Sequence, residues 1–190
     1  MKTPTVLQSL AQASVRCEVL VPTCPAVIVM AQAALESGWL DYMSGENNAL
    51  GIKAYTGQWS EKLCPTTEYF TDAQRTQFLA LDRGRTATLD QTYKPTYDKH
   101  SNAVNKYHVL DWFASFATLA DCFAYRANLF TRAPYAAIMQ QYQQDVNLDK
   151  CVRAFAPIYA TSPSYADTLL EIINDHEVQA ALAAAKGVAT

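Results

Sequence analysis

Ala26-Val27-Ile28-Val29-Met30-Ala31-Gln32-Ala33-Ala34-Leu35-Glu36-Ser37-Gly38-Trp39 is the stretch on which the fold turns. Residues 26–35 are apolar apart from Gln32, which predicts a buried helix running to about Trp39, with Pro25 suited to its first turn. Glu36 falls at the last turn. The partial negative charge of a helix C-terminus repels a carboxylate there, and apolar neighbours desolvate it. Both effects favour the protonated acid, so Glu36 is a candidate general acid with a raised pKa. A lone glutamate at a helix end is more often simply solvated, and the surrounding chain has to decide. About ten residues on, Asn47-Asn48-Ala49-Leu50-Gly51-Ile52-Lys53 is a polar turn leading into an apolar stretch. This predicts that Glu36 faces a cleft whose opposite wall is a loop and a strand.

The 190 residues, 50% hydrophobic and 17% charged, suffice for one substantial core. A net charge of −3 carries no basic signature for nucleic acid. No run approaches the roughly 18 apolar residues of a membrane helix, so no membrane insertion is expected. Met1-Lys2-Thr3-Pro4-Thr5 lacks the apolar core of a signal peptide. Cys17, Cys24, Cys64, Cys122 and Cys151 form no CxxC pair, and His100, His108 and His176 are scattered, so neither a metal nor a cofactor is expected. The cysteines read as buried free thiols, with a Cys17–Cys24 disulfide around Val21-Pro22-Thr23 as the one alternative.

Residues 5–20 show helical spacing. From about 41 to 105 that periodicity fades. Leu50 to Tyr55, Thr66 to Thr71 and Thr86 to Thr92 read as short strands, and Gln91 to Tyr107 as a surface loop. Asp111 reads as an N-cap, followed by a helix whose apolar face is Trp112, Phe113, Phe116, Leu119, Ala120 and Phe123. Helices are expected at about 134–143, 147–157 and 164–185, with a break from Pro157 to Pro163 and a fraying tail over 180–190. The whole chain, 1–190, thus reads as one mainly helical α+β domain with a β-rich insertion at about 41–105.

Glu68 lies in Pro65-Thr66-Thr67-Glu68-Tyr69-Phe70, where strand alternation puts Thr66, Glu68 and Phe70 on one face. Glu36 and Glu68 on opposing walls of a groove would meet the need of glycoside hydrolysis for two carboxylates. Asp41, Glu46, Glu61 and Asp72 are rival acids nearby.

On these residues the chain resembles the bacterial glucosaminidases, glycoside hydrolase family 73. Residues 31–39 are similar to that family's AQAxLESGW element and residues 47–54 to NNLFGIKA. Thr66-Thr67-Glu68-Tyr69 resembles TxEY, residues 107–112 resemble FRxYDS, and residues 159–166 are similar to YATDPxYA. The five elements come in order over about residues 20–175. The resemblance implies a lysozyme-like α+β fold with a groove between lobes. It implies cleavage of the β-1,4 bond after N-acetylglucosamine in peptidoglycan glycan strands. It puts Glu36 on the general acid, Glu68 on the second acid, and Tyr159 on a tyrosine that positions the substrate or its N-acetyl group. Leu40 stands where the family has glycine, Ser162 where it has aspartate, and His108, Leu110 and Trp112 depart from FRxYDS. Residues 72–105 match no element of the family.

Around the two acids, Trp59 and Trp39 are candidates for stacking on sugar rings, Trp39 being equally a core residue. Asn47 and Asn48 are candidates for binding hydroxyl or N-acetyl groups, or for capping a turn. Ser37 reads as a backbone-bonding residue, Tyr165 as core, and Lys53 as a solvated lysine in preference to a partner of Glu68 or of a substrate carboxylate. Two other readings stand beside the hydrolase: a lytic transglycosylase using Glu36 alone, and a non-catalytic wall-binding module. The expected protein is a monomer acting on the bacterial cell wall. Its expected route there is release by a holin, a dedicated export system, or secretion with the leader trimmed away, between which the sequence does not choose.

Overall fold

In the computed structural model, which describes residues 1–54, 60–81, 83–97, 101–160 and 164–188, the chain runs in order through α1 (Pro4–Leu20), α2 (Ala26–Ser37), β1 (Ser60–Phe70), α3 (Asp72–Ala80), β2 (Thr86–Leu89), β3 (Thr96–Tyr97), β4 (Ala103–Ser115), α4 (Leu119–Phe130), α5 (Tyr135–Asp145), α6 (Leu148–Tyr159), α7 (Tyr165–Ile173) and α8 (His176–Val188). These elements form two compact units. One comprises Met1–Met43, Asn47–Gly51 and Phe116–Thr190; the other comprises Ser44–Glu46 and Ile52–Ser115.

The first unit is helical. Its starts are local chemistry. Thr3 accepts a hydrogen bond from the Val6 amide ahead of Pro4, and Glu18 accepts one at 3.0 Å from the Ala26 amide that opens α2. Thr118 and Asn147 cap α4 and α6 in the same way. Leu10, Ile28, Met30, Phe123, Phe130, Met139, Phe155 and Leu169 are fully buried. Each removes enough apolar surface from water to contribute about 1.5–3 kcal/mol. Within α2 only Glu36 is exposed, and most other positions are buried. That is the signature of a helix apolar on nearly every side. All five cysteines are buried free thiols, Cys17 and Cys24 among them.

The second unit is an antiparallel sheet in the order β1-β4-β2, with β3 also paired to β4. Ser60 pairs with Ser115 and Phe70 with Asn105 at the two ends of β1–β4. Pro65 is tolerated because β1 is an outer strand. α3 begins at Thr71 with a reciprocal capping box to Gln74. It packs Phe78 against Tyr107 and Val109, with Phe70, Leu79 and Ala87 around them.

Several expectations are corrected. The helix expected from Asp111 is the end of strand β4, and α4 starts only at Leu119. Tyr107, Val109, Asp111 and Phe113 alternate buried with less buried neighbours, a period of two. The dense aromatics at 112–123 imitate a helical face across the strand–helix junction. Residues 50–55 are not a described strand; Lys53 makes a single bridge to Phe113, and Tyr55 lies outside the described residues. The 72–105 segment contains helix α3, and the loop expected at 91–107 contains β3 and the start of β4. The helix expected at 164–185 is two helices, because Asp175 turns inward to accept the Glu177 and Val178 amides and so starts α8. α6 continues through Pro157 to Tyr159, and the 180–190 tail is helical to Val188. α2 ends at Ser37, not Trp39, because Gly38 adopts the left-handed conformation (φ 57°) and closes it.

Candidate active site

In the helical unit the site is built from the exit of α2. The Ser37 hydroxyl donates to the Ala33 carbonyl at 2.5 Å and accepts from the Leu40 amide at 2.8 Å. The Trp39 amide donates to the Ala34 carbonyl at 2.9 Å. This turn fixes the backbone that carries Glu36, so Ser37 has the backbone-bonding role expected of it. One helical turn before Glu36, and therefore on the same face, the fully buried Gln32 donates through Nε2 to the Tyr165 hydroxyl at 3.1 Å. The Tyr165 ring lies 5.3 Å from that of Tyr159, and the Arg126 guanidinium lies 4.1 Å from the Tyr159 ring centre.

Electrostatics follow from this setting. Glu36 is solvent-accessible, yet the protein around it desolvates its carboxyl and raises its pKa, with the Arg126 charge opposing. Burial pushes the Tyr159 phenol up to about 12, again against Arg126, while the Glu36 charge adds to the rise. Tyr165 is pushed higher still by its own burial. Tyr159 and Tyr165 are thus neutral hydrogen-bonding groups, and Glu36 is a carboxylic acid ready to give up its proton above the usual carboxylate range.

In the sheet unit the Glu68 carboxylate pairs with the Lys53 ammonium. Lys53 also reaches Asp111 at 2.9 Å, and Asp111 takes Arg85 Nε at 2.7 Å. The β1–β4 register places Glu68 opposite Tyr107 and Cys64 opposite Asp111, so both acids leave the same face of the sheet. Burial disfavours charge on Lys53, but its hydrogen bonds to Glu68 and Asp111 prevail and raise its pKa. Burial likewise opposes the charge on Asp111, and Lys53 and Arg85 overcome it and hold the pKa low. Lys53 is therefore a bridging cation rather than a solvated one. Thr66, Glu68 and Phe70 are half-buried on one face of β1, as alternation predicts.

The remaining expected site residues divide. Asn47 spends its amide on the Phe116 and Ala117 carbonyls, at 2.9 and 3.1 Å. Asn48 is 1% exposed and takes a long contact from the Cys122 thiol. Trp39 is half-buried in a left-handed conformation (φ 65°), with Lys2 Nζ 5.6 Å from its ring. Trp59 lies outside the described residues. Among the described residues, no group of three His, Cys, Asp or Glu side chains is placed to hold a metal ion. Two residues escaped sequence reasoning. Arg126 had a signal: it interrupts the apolar stripe formed by Cys122 and Phe130, four residues to either side. Arg85 had none, because only the fold brings it to Asp111.

The fold is similar to three solved structures. The glycoside hydrolase domain of FlgJ from Salmonella typhimurium has a TM-score of 0.60 at 19% identity, covering 100% of this chain and 97% of that one. A peptidoglycan hydrolase mutant from Sphingomonas sp. A1 has a TM-score of 0.59 at 22% identity, covering 96% and 99%. The catalytic domain of the autolysin Auto from Listeria monocytogenes has a TM-score of 0.56 at 18% identity, covering 95% and 90%. No curated protein sequence matches the chain. The fold is thus that of the lysozyme-like, mainly helical α+β domains. Residues 22–178 match the glucosaminidase family, described as mannosyl-glycoprotein endo-beta-N-acetylglucosaminidase, which makes the protein one of the glycosidase class. The chain belongs to that family.

Proposed function

We propose that the protein is a peptidoglycan hydrolase that cleaves the β-1,4 bond after N-acetylglucosamine, with Glu36 as its general acid. One observation carries the reading: a glutamate on the last turn of an apolar helix, proton-retaining through desolvation, in a chain of the glucosaminidase family. The solved structures it resembles include a peptidoglycan hydrolase and an autolysin, which supports a wall substrate and action at the cell wall.

In the proposed reaction Glu36 gives its proton to the glycosidic oxygen, and the leaving sugar departs with the bonding electron pair. Positive charge then grows at the anomeric carbon. Glu68, paired with Lys53, meets that charge or takes a proton from the attacking water. Tyr159, neutral and stacked beside Arg126, positions the substrate. Trp39, Trp59 and Asn47 complete the proposed substrate contacts, whereas Asn48, 1% exposed, has no surface to offer one. The Lys53 ion pair on Glu68 gives one observation in favour of the transglycosylase reading, since the ammonium occupies the carboxylate that would otherwise meet the anomeric charge and leaves Glu36 to act alone.

Digestion of purified peptidoglycan, borohydride reduction and mass spectrometry test this. Fragments ending in reduced N-acetylglucosamine are expected; anhydro-muramic ends would replace the hydrolase with the transglycosylase. Glu36→Gln should lower turnover by at least about 10²-fold, and a fully active variant would remove Glu36 from the mechanism. Glu68→Gln is expected to cost less if the substrate's own N-acetyl oxygen attacks the anomeric carbon.

A further inference from the structure

Arg126 is a cation with nowhere ordinary to go. It stands on α4 between Cys122 and Phe130, both fully buried, so its side chain rises out of apolar surface. Its guanidinium is laid on the Tyr159 ring at 4.1 Å and lies 5.6 Å from the Phe130 ring. Its Nε is shut off from water without a hydrogen-bond partner. No ion pair of Arg126 occurs among the described residues. A guanidinium does not shed its proton, so this charge is permanent and in want of an anion. Glu36 shares its cluster: Gln32, one turn back on the same face of α2, bonds Tyr165, and Tyr165 stacks on Tyr159 beneath Arg126.

We propose that Arg126 is a positioning residue for the Glu36 acid: fixed on Tyr159, in the cluster that Tyr165 and Gln32 join to α2, its permanent charge receives the negative charge left on the carboxylate once the proton has passed to the glycosidic oxygen. The inference rests on the reading of Glu36 as general acid. Nε faces inward, so the guanidinium is oriented for its neighbours within the cluster rather than for a ligand arriving from solvent. The groups that meet Glu36 electrostatically are Arg126 on α4, Tyr159 on α6 and Tyr165 on α7. Of these only Arg126 is charged, both phenols being held neutral by burial. On the other helices beside α2, Glu18 of α1 pairs with Lys186 of α8 at 2.8 Å, and Glu177 of α8 pairs with Lys2 at 2.5 Å. Burial alone would make Glu36 a weak acid and its carboxylate costly. A fixed cation corrects both without supplying a proton of its own.

The test is a 13C NMR titration of the Glu36 carboxyl, run beside pH–rate profiles on peptidoglycan, in the unsubstituted protein and in Arg126→Met and Arg126→Lys. In Arg126→Met the Glu36 midpoint and the basic limb of kcat/KM should move together to higher pH. At the optimum kcat should fall about ten- to a hundredfold, less than loss of the acid itself. Arg126→Lys, which keeps the charge, should return both toward their starting positions. A Glu36 midpoint unmoved by Arg126→Met overturns the proposal, and so does a midpoint in Arg126→Lys that tracks the Met variant. Arg126→Gln, with a polar head of similar reach, makes the same comparison if the methionine variant does not fold. The titration needs no turnover. A shifted midpoint in a protein inactive on every wall would therefore uphold the coupling and sink the hydrolase reading, whereas an active enzyme with an unmoved midpoint would do the reverse.

Discussion

At the scale of the residue, Glu36 sets catalysis against stability. Its folded pKa is raised, chiefly by burial. A raised pKa means that the stability it lends is fully present below the unfolded value of about 4.3 and is lost as pH rises through the folded value. Above its folded pKa the ionised carboxylate therefore weighs against the fold. Glu36→Gln should accordingly raise Tm at pH 7 by a few degrees at most, since the side chain is solvent-accessible and screened, with the gain vanishing near pH 3. Calorimetry at the two pH values checks this, and a lower Tm at pH 7 would contradict the desolvated setting. Leu40 shows a second residue-scale conflict. It sits at φ 66°, directly after Trp39 at φ 65°, a conformation costing a non-glycine residue about 1–2 kcal/mol. The glycine that the family motif has there would adopt it freely.

At the scale of the element, β4 shows how one strand gathers a site. Its alternation buries Tyr107 and Val109 in the sheet's core and Phe113 further along the strand, and Asp111 enters that apolar row with them. The acid is tolerated because Arg85 and Lys53 both reach it. Removing one member of such a cluster leaves buried charge without its partner. Asp111→Asn should cost about 3 kcal/mol in urea unfolding and, by freeing Lys53, should also weaken catalysis through Glu68. A cost below about 0.5 kcal/mol would mean that the pairs behave like exposed ones. Periodicity misread this element for a specific reason. Tyr107 to Phe113 carry a period of two, but Trp112, Phe113, Phe116, Leu119, Ala120 and Phe123 run on into α4 and supply a helical count across the boundary. An aspartate in the middle looks like a cap until Arg85 is known to stand beside it.

At the scale of the whole molecule, acid should unfold the protein through its carboxylates. Asp111 is held below its ordinary pKa by Lys53 and Arg85 despite burial, Asp145 by Lys150 and the Asn147 amide, and Asp175 by Lys2. A lowered folded pKa gives stability that is present above the unfolded value of about 3.9 and is lost as pH falls through the folded one. Tm should thus hold nearly level from about pH 5 upward and drop below about pH 4. A circular-dichroism melt at each pH follows this, and a Tm that stayed level down to pH 2 would remove these ion pairs from the account. The sequence by itself determined the helical class, the buried α2, the acid at its end and the β strand that carries Glu68. All of these are local patterns of polarity that need no partner to be read. Only the tertiary structure decided that Arg126 lies over Tyr159, that Lys53 joins Glu68 to Asp111, and that Arg85 makes Asp111 a strand residue rather than a helix cap. Those are meetings between segments far apart in the chain. The energy of a charge depends on what folding brings within a few ångströms of it, and no spacing along the chain records that.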